Sequence, residues 1–306
     1  MELAMTQPQP LRGIFAPTLT PFRADLSVDV DRWIEHSKHL LATGCHGLCP
    51  FGTTSEANSL GLEERMALLE QLVAAGVSPT VLMPGTGTSA LPDTVRLTAH
   101  AVTLGCAGVL LLPPFYYKGV SDAGLFRSIA EVIERVADDR LRVYLYHIPP
   151  VAQVGFSLSL IERLIKTYPQ TVVGIKDSSG DWKNQAAMLH AFQGFGILSG
   201  AERFLLENLR LGGAGSINAV ANVLAGPVRQ LYDNWQTPDA ERLQEQIILL
   251  RKPFQEYAAI PALKQIVAHF RQDPAWLTLR PPFVNLTPAQ ADTLIQGMAE
   301  VNFPPY

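Results

Sequence analysis

RVYLYHIPPVAQVGFSLSLIERLIKTYPQTVVGIKD, residues 142–177, holds one complete unit of the fold. It opens on a short apolar run, Arg142–Tyr146, and closes on another, Val172–Lys176. Both have strand length and enough aliphatic side chains to be buried on both faces, as in a parallel sheet covered by helices. Between them Leu158, Ile161, Leu164 and Ile165 recur at helical spacing and form one apolar stripe. Ser159 and Glu162 stand at capping-box spacing near the start of that helix.

The same alternation runs outward in both directions. Further strand-like runs are Gly13–Thr18, Gly47–Phe51, Thr80–Met83, Gly108–Pro113, Gly196–Ser199 and Gly215–Ala219, which brings the number to eight. Helical faces lie between them, such as Val30, Trp33, Ile34 and Leu41, or Leu125, Ile129, Val132, Ile133 and Val136. Eight consecutive strand–helix units predict an α/β fold of the (β/α)8 TIM-barrel type. An open doubly wound sheet stays as the alternative, because counting strands does not show closure. After residue 236 the pattern is helical only. Leu243, Ile247 and Leu250 mark a helix stopped near Pro253, and Leu263, Ile266, Val267 and Phe270 mark a second. Thr287-Pro288, an N-cap followed by a first-turn proline, opens a third. The expected organisation is a disordered N-terminus over residues 1–10, a barrel over 11–236 and a C-terminal helical extension over 237–306 packed on the barrel.

Composition bounds the function. Of 306 residues 47% are apolar and 17% charged, so a large core can be buried. The net charge of −4 and the lack of a basic run argue against nucleic acid as a partner. No apolar run approaches the length of a membrane span. Three cysteines make no disulfide framework, which predicts a reducing, cytoplasmic setting.

Reactive groups of such barrels sit where strands end. The sixth run ends at Lys176-Asp177. Burial disfavours the charged form of an amine, and the neutral amine attacks carbonyls. The plainer alternative is an ion pair with a neighbouring carboxylate, Asp177 being adjacent. The fifth run ends Tyr144-Leu145-Tyr146-His147, and alternation turns both tyrosines one way and His147 the other. A strand-end tyrosine is either a proton shuttle or a core residue with a satisfied hydroxyl. The second run leads into Gly52-Thr53-Thr54-Ser55-Glu56, whose hydroxyls and amides suit a carboxylate, or form only a solvated turn. The fourth leads into Pro113-Pro114-Phe115-Tyr116-Tyr117, a stiff loop lining a pocket, an interface or plain surface.

In their order and spacing, the Gly-Thr-Thr-x-Glu of 52–56, Pro-Pro-Phe-Tyr-Tyr of 113–117, Tyr-His-Ile-Pro of 146–149 and Gly-Ile-Lys-Asp of 174–177 resemble the dihydrodipicolinate synthase/N-acetylneuraminate lyase family. Leu198-Ser199-Gly200, Ala221-Asn222-Val223 and Arg280-Pro281-Pro282 extend the match over roughly residues 11–300. The resemblance implies a class I aldolase or lyase working on pyruvate or another 2-keto acid, without metal or cofactor, as a homotetramer built from two dimers. It assigns the Schiff base to Lys176, the proton shuttle to Tyr146 and the link between tyrosine hydroxyls to Thr54. Thr53 and Thr54 would hold the keto-acid carboxylate, and Ile217 would turn its carbonyl to the site. Tyr116 would reach into a neighbouring subunit's site.

The chain also departs from the family pattern. Residues 150–155 lack the arginine with which synthase members hold the aldehyde's carboxylate, which argues against aspartate semialdehyde. Gly200-Ala201-Glu202 keeps one acid of the pair that binds sialic acid. Ser178, Ser179, Asp181 and Ser216 remain to bind hydroxyls, together with Gly200 and Glu202 at the same rim. Ser55 stands where glycine is common, and His147 replaces an asparagine. The open activities are cleavage of a 4-hydroxy-2-keto acid or a 2-keto-3-deoxy sugar acid, dehydration through the same imine, the lysine-pathway synthase reaction, or binding without turnover. Apolar Val151, Val154 and Phe156 point instead to an aromatic aldehyde. Three features read as structural: Cys45-His46-Cys49, which lacks a second metal-ligand cluster; the Gly212–Gly215 turn, on the face opposite the chemistry; and His100 on a helix.

Overall fold

A computed structural model of the chain describes residues 9–306. The expected disordered N-terminus falls mostly on residues 1–8, outside the described residues. Seven parallel strands form one sheet: β1 Gly13–Ala16, β2 Gly47–Leu48, β3 Val109–Leu111, β4 Val143–His147, β5 Val172–Asp177, β6 Gly196–Ser199 and β7 Gly215–Ile217. Their order is β2-β1-β7-β6-β5-β4-β3. The third expected run, Thr80–Met83, supplies the eighth stave without becoming a regular strand. It begins as a 3₁₀ turn, Pro79–Val81, and then bridges Leu48 to Leu82 on one side and Gly85 to Leu110 on the other. The barrel therefore closes, which removes the open-sheet alternative. Pro84 has no amide to give the ladder, and at Gly85 a Cβ would stand 2.1 Å from the Phe51 carbonyl oxygen.

Alternation sorts the strand residues into two layers. Phe15, Cys49, Met83, Leu110, Tyr144, Leu198 and Ile217 fill the barrel interior. Ile14, Leu48, Val109, Leu145, Ile175 and Ile197 face the surrounding helices. The Tyr144 ring crosses the interior, and its hydroxyl accepts from the Leu11 amide at 2.6 Å, capping the floor. Gly174 leaves room for it, since a Cβ there would lie 2.4 Å from the ring.

After β4 come a short helix, Pro149–Ala152, and then the helix Leu158–Thr167, capped by Ser157, whose hydroxyl accepts from the Leu160 amide. The expected box of Ser159 and Glu162 starts two residues too late, so Glu162 pairs instead with Lys166 at 2.6 Å. Helices Ala240–Arg251, Ala259–Arg271 and Pro288–Glu300 follow the barrel. The last opens on the expected Thr287 cap, completed by Gln290. No helix among the described residues is long and apolar enough to cross a membrane.

Candidate active site

β4 and β5 place Tyr146 beside Lys176 in register, both facing inward at the C-terminal end of the barrel. Lys176 is 4% exposed, and its Nζ lies 4.3 Å from the centre of the Tyr146 ring. That contact with the ring's negative face offsets part of the cost of burying an ammonium group. Among the described residues no acid pairs with Lys176. Asp177 points to the opposite layer, where it accepts from the Ser179 amide at 2.8 Å and from Asn184 Nδ2 at 3.2 Å. The ion-pair alternative for Lys176 is thus not what the fold builds. Cys49, also in the interior, is a thiol pushed up to about 12 by burial.

The Tyr146 hydroxyl meets Thr53 Oγ1 at 3.2 Å. Here the structure corrects the expectation from resemblance: the threonine linked to the tyrosine is Thr53, the first of the two, and not Thr54. Two adjacent residues of a turn point in different directions, so only one hydroxyl reaches the ring. Thr54 is half-buried next to it, one residue further from Tyr146. Phe51, Gly52, Thr53, Gly85, Leu110 and Tyr146 line a cavity over this contact. A larger cavity of about 390 Å³ lies against Val172 and Phe195, at the N-terminal end of β5 and away from Lys176.

Tyr116 and Tyr117 are 73% and 66% exposed, with their rings edge-to-face at 5.4 Å. The Tyr116 amide donates to Ser89 Oγ at 3.2 Å. Ile217 is fully buried in the interior layer at the end of β7. Ser178 and Gly200 are packed on each other, because a Cβ at Gly200 would lie 2.1 Å from Ser178 Oγ. Their amides close the rim by donating to His147 and Asp177 carbonyls, each at 2.7 Å.

Several residues expected at the substrate have partners within the chain. Glu202 is 7% exposed, and its carboxylate lies 3.2 Å from Arg251 on the helix Ala240–Arg251. Ser216 accepts from Asn218 at 2.8 Å, and Asp181 caps the next helix. Val154 and Phe156 pack in the outer layer against helices, while Val151, in the short helix Pro149–Ala152, is exposed. Apart from Ser216, which lies within β7, these positions lie beyond the strand ends, where alternation no longer predicts direction. His147 Nδ1 accepts from the Phe156 amide at 3.0 Å; burial lowers the imidazole's pKa and Asp177 opposes this.

Of the features read as structural, Cys45 and Cys49 fall in different layers and His46 accepts from the Ile14 amide at 3.0 Å. No group of three or more His, Cys, Asp or Glu among the described residues is placed to hold a metal ion. Gly213 accepts from Arg12 at 2.7 Å on the barrel floor, and His100 meets Glu70 at 2.8 Å.

Sequence reasoning missed Lys264, which is 1% exposed. The signal was there: Ile260, Lys264 and Ala268 share one face of their helix, so a lysine stands within the apolar stripe.

Comparison with known proteins agrees with this geometry. The sequence profile of the dihydrodipicolinate synthetase family matches residues 10–300. An uncharacterized DapA-like lyase of Chloroflexus aurantiacus is 33% identical, over 83% of this chain and 85% of that protein. A 4-hydroxy-tetrahydrodipicolinate synthase of Symbiobacterium thermophilum is 30% identical, over 92% of this chain and 95% of its own. The crystal structure of dihydrodipicolinate synthase from Agrobacterium tumefaciens str. C58 superposes with a TM-score of 0.88 at 34% identity, covering 94% of this chain and 99% of that one. A prophage protein of the dihydrodipicolinic acid synthase family from E. coli K12, solved in complex with pyruvate, has a TM-score of 0.86 at 25% identity, covering 96% and 99%. With its closed barrel, its strand-end lysine and tyrosine, and a profile match across nearly its whole length, this chain belongs to the dihydrodipicolinate synthetase family of lyases.

Proposed function

We propose that this protein is a Schiff-base-forming class I lyase that reversibly cleaves a 4-hydroxy-2-keto acid or 2-keto-3-deoxy sugar acid into pyruvate and an aldehyde. The observation that carries the reading is a buried lysine with no acid partner, beside a tyrosine whose hydroxyl meets a threonine. The Lys176 amine, after giving up its proton, attacks C2 of the keto acid, and the carbonyl oxygen leaves as water. The C3–C4 bond then breaks, and its electron pair flows into the protonated imine to give an enamine. Tyr146 takes the proton from the C4 hydroxyl as the aldehyde departs. Tyr146 returns that proton to C3, and water hydrolyses the imine to release pyruvate. A phenol with a solution pKa near 10 is a poor proton carrier at neutral pH, so a hydroxyl partner that polarises it is needed. Thr53 fills that place, the hydroxyls and amides of the Thr53–Thr54 turn bind the carboxylate end, and the Ile217 carbonyl faces the site.

Tyr116 serves a neighbouring subunit of a homotetramer, a role supported by its exposure on a stiff loop. A cytoplasmic setting fits three thiols without disulfide partners. Val151 is apolar and 62% exposed, in the segment that lacks an arginine, so an aldehyde without a carboxylate suits this rim better than aspartate semialdehyde. Borohydride reduction in the presence of pyruvate tests the chemistry. We expect a reduced adduct on Lys176; protein that stays unmodified at that residue refutes it. A panel of 2-keto acids, scored by pyruvate release, then selects the substrate.

A further inference from the structure

The turn that carries Thr53 is fastened from behind. Glu56 ends it with a left-handed backbone, φ 57°, uncommon for a residue with a side chain. Its carboxylate is wholly buried, and Lys264 Nζ on the helix Ala259–Arg271 lies 2.6 Å from Oε1. Lys264 also sits 4.5 Å over the Phe22 ring and donates to the Thr278 carbonyl at 3.3 Å. Neighbouring residues of the turn are held as well. Thr20 Oγ1 donates to the Ser55 carbonyl at 2.7 Å, Arg65 to the Ala57 carbonyl, and Arg280 to the Ser59 carbonyl at 2.6 Å. Arg280 is itself forked onto Glu64 at 2.8 and 2.6 Å.

A buried ion pair is weak evidence for stability, because desolvation cancels much of its attraction; its best-attested use is to fix one geometry. The geometry at stake here is three residues away, where Thr53 meets Tyr146. The Glu56 amide donates to the Thr53 carbonyl at 3.1 Å, so the position of Glu56 bears directly on that of Thr53.

We propose that Glu56 and Lys264 form a positioning pair that holds the Thr53 hydroxyl on Tyr146, so that the helical extension sets proton transfer in the barrel. This rests on the imine reading of Lys176 and Tyr146 and assigns a role that reading leaves open.

The test uses the full chain, with pyruvate as the probe. Three quantities are measured: imine formation by borohydride trapping at saturating pyruvate, exchange of the pyruvate C3 protons in D2O by NMR, and thermal stability by circular dichroism. The variants are Glu56→Gln, Lys264→Met and the double variant Glu56→Met/Lys264→Met. Both single variants should still trap pyruvate but exchange C3 protons about 10–100-fold more slowly, the size expected for a misplaced proton relay. The double variant leaves no buried charge unpaired. It should recover stability relative to the single variants while its exchange stays slow. Exchange at the wild-type rate in folded variants, or exchange that recovers together with stability in the double variant, overturns the positioning role. If a single variant does not fold, the double variant decides by the same criterion. Wild-type protein that forms no imine refutes the proposed function instead, and so separates the two failures.

Discussion

Replacing Thr53 with valine removes one hydroxyl and keeps the shape of the side chain. It breaks the 3.2 Å hydrogen bond to the Tyr146 hydroxyl. Thr53 is exposed, so the fold should change by no more than about 0.5 kcal/mol. A net hydrogen bond is worth about 0.5–1.5 kcal/mol, or roughly 2–13-fold in rate at 1.36 kcal/mol per decade. That is the lower bound, reached if Tyr146 keeps its place and its proton path. Full loss of a positioned acid–base group costs about 10²–10⁴-fold. Tyr146 itself remains, so Thr53→Val should slow C3 proton exchange of bound pyruvate by about 10–100-fold, between these limits. Thr54→Val should behave differently. In the proposed reading it weakens carboxylate binding, so it raises the pyruvate concentration needed for half-maximal exchange and leaves the saturated rate within about 3-fold, inside the range for a modest hydrogen bond. Exchange followed by proton NMR in D2O over a range of pyruvate concentrations separates the two. A saturated rate that falls as far in Thr54→Val as in Thr53→Val refutes the geometric assignment. So does a Thr53→Val protein as fast as wild type.

Lys176→Met should abolish the borohydride adduct and yet stabilise the fold, because it removes a buried amine without an acid partner. A gain of about 1–2 kcal/mol, spread over an unfolding entropy of about 2.1 cal/mol/K per residue, raises Tm by about 2–3 °C, and a lowered Tm in calorimetry contradicts the absence of a partner. If Tyr116 serves a neighbouring subunit, two inactive variants, Tyr116→Phe and Lys176→Ala, should regain activity when refolded together, since each mixed pair rebuilds one whole site. Mixed oligomers that form without activity reject this arrangement. His36 is buried between Asn222 and the Tyr306 hydroxyl, and burial pushes its pKa down to about 3 from 6.5. The unfolded chain therefore binds the extra proton, and stability falls as pH drops from 6.5 toward 3. At pH 5 that is 1.5 units below the unfolded value, a loss of about 2 kcal/mol from this one residue. Urea titrations at pH 7 and pH 5 should show a smaller drop in His36→Gln than in wild type; equal drops place the acid sensitivity in other groups.

Local pattern carried a large part of this protein. Runs buried on both faces, separated by amphipathic helices, repeat often enough to specify a barrel, and period-two alternation already turned Tyr146 inward and His147 outward. A lysine closing an apolar strand marked the candidate site, because the physical expense of burying an amine is visible in one dimension. Closure was not visible, nor was the irregular third stave at Pro84, where a missing amide interrupts the ladder. Beyond the strand ends, side-chain direction follows loop conformation and not alternation. Glu202 therefore turned to Arg251, Val154 and Phe156 to the helices, and Thr53 in place of Thr54 to Tyr146. The pairing of Glu56 with Lys264 joins residues 208 positions apart. Only the packing of the helical extension against the barrel brings them within reach, since a charge buried at one point of the chain is matched by whichever distant segment the fold lays upon it.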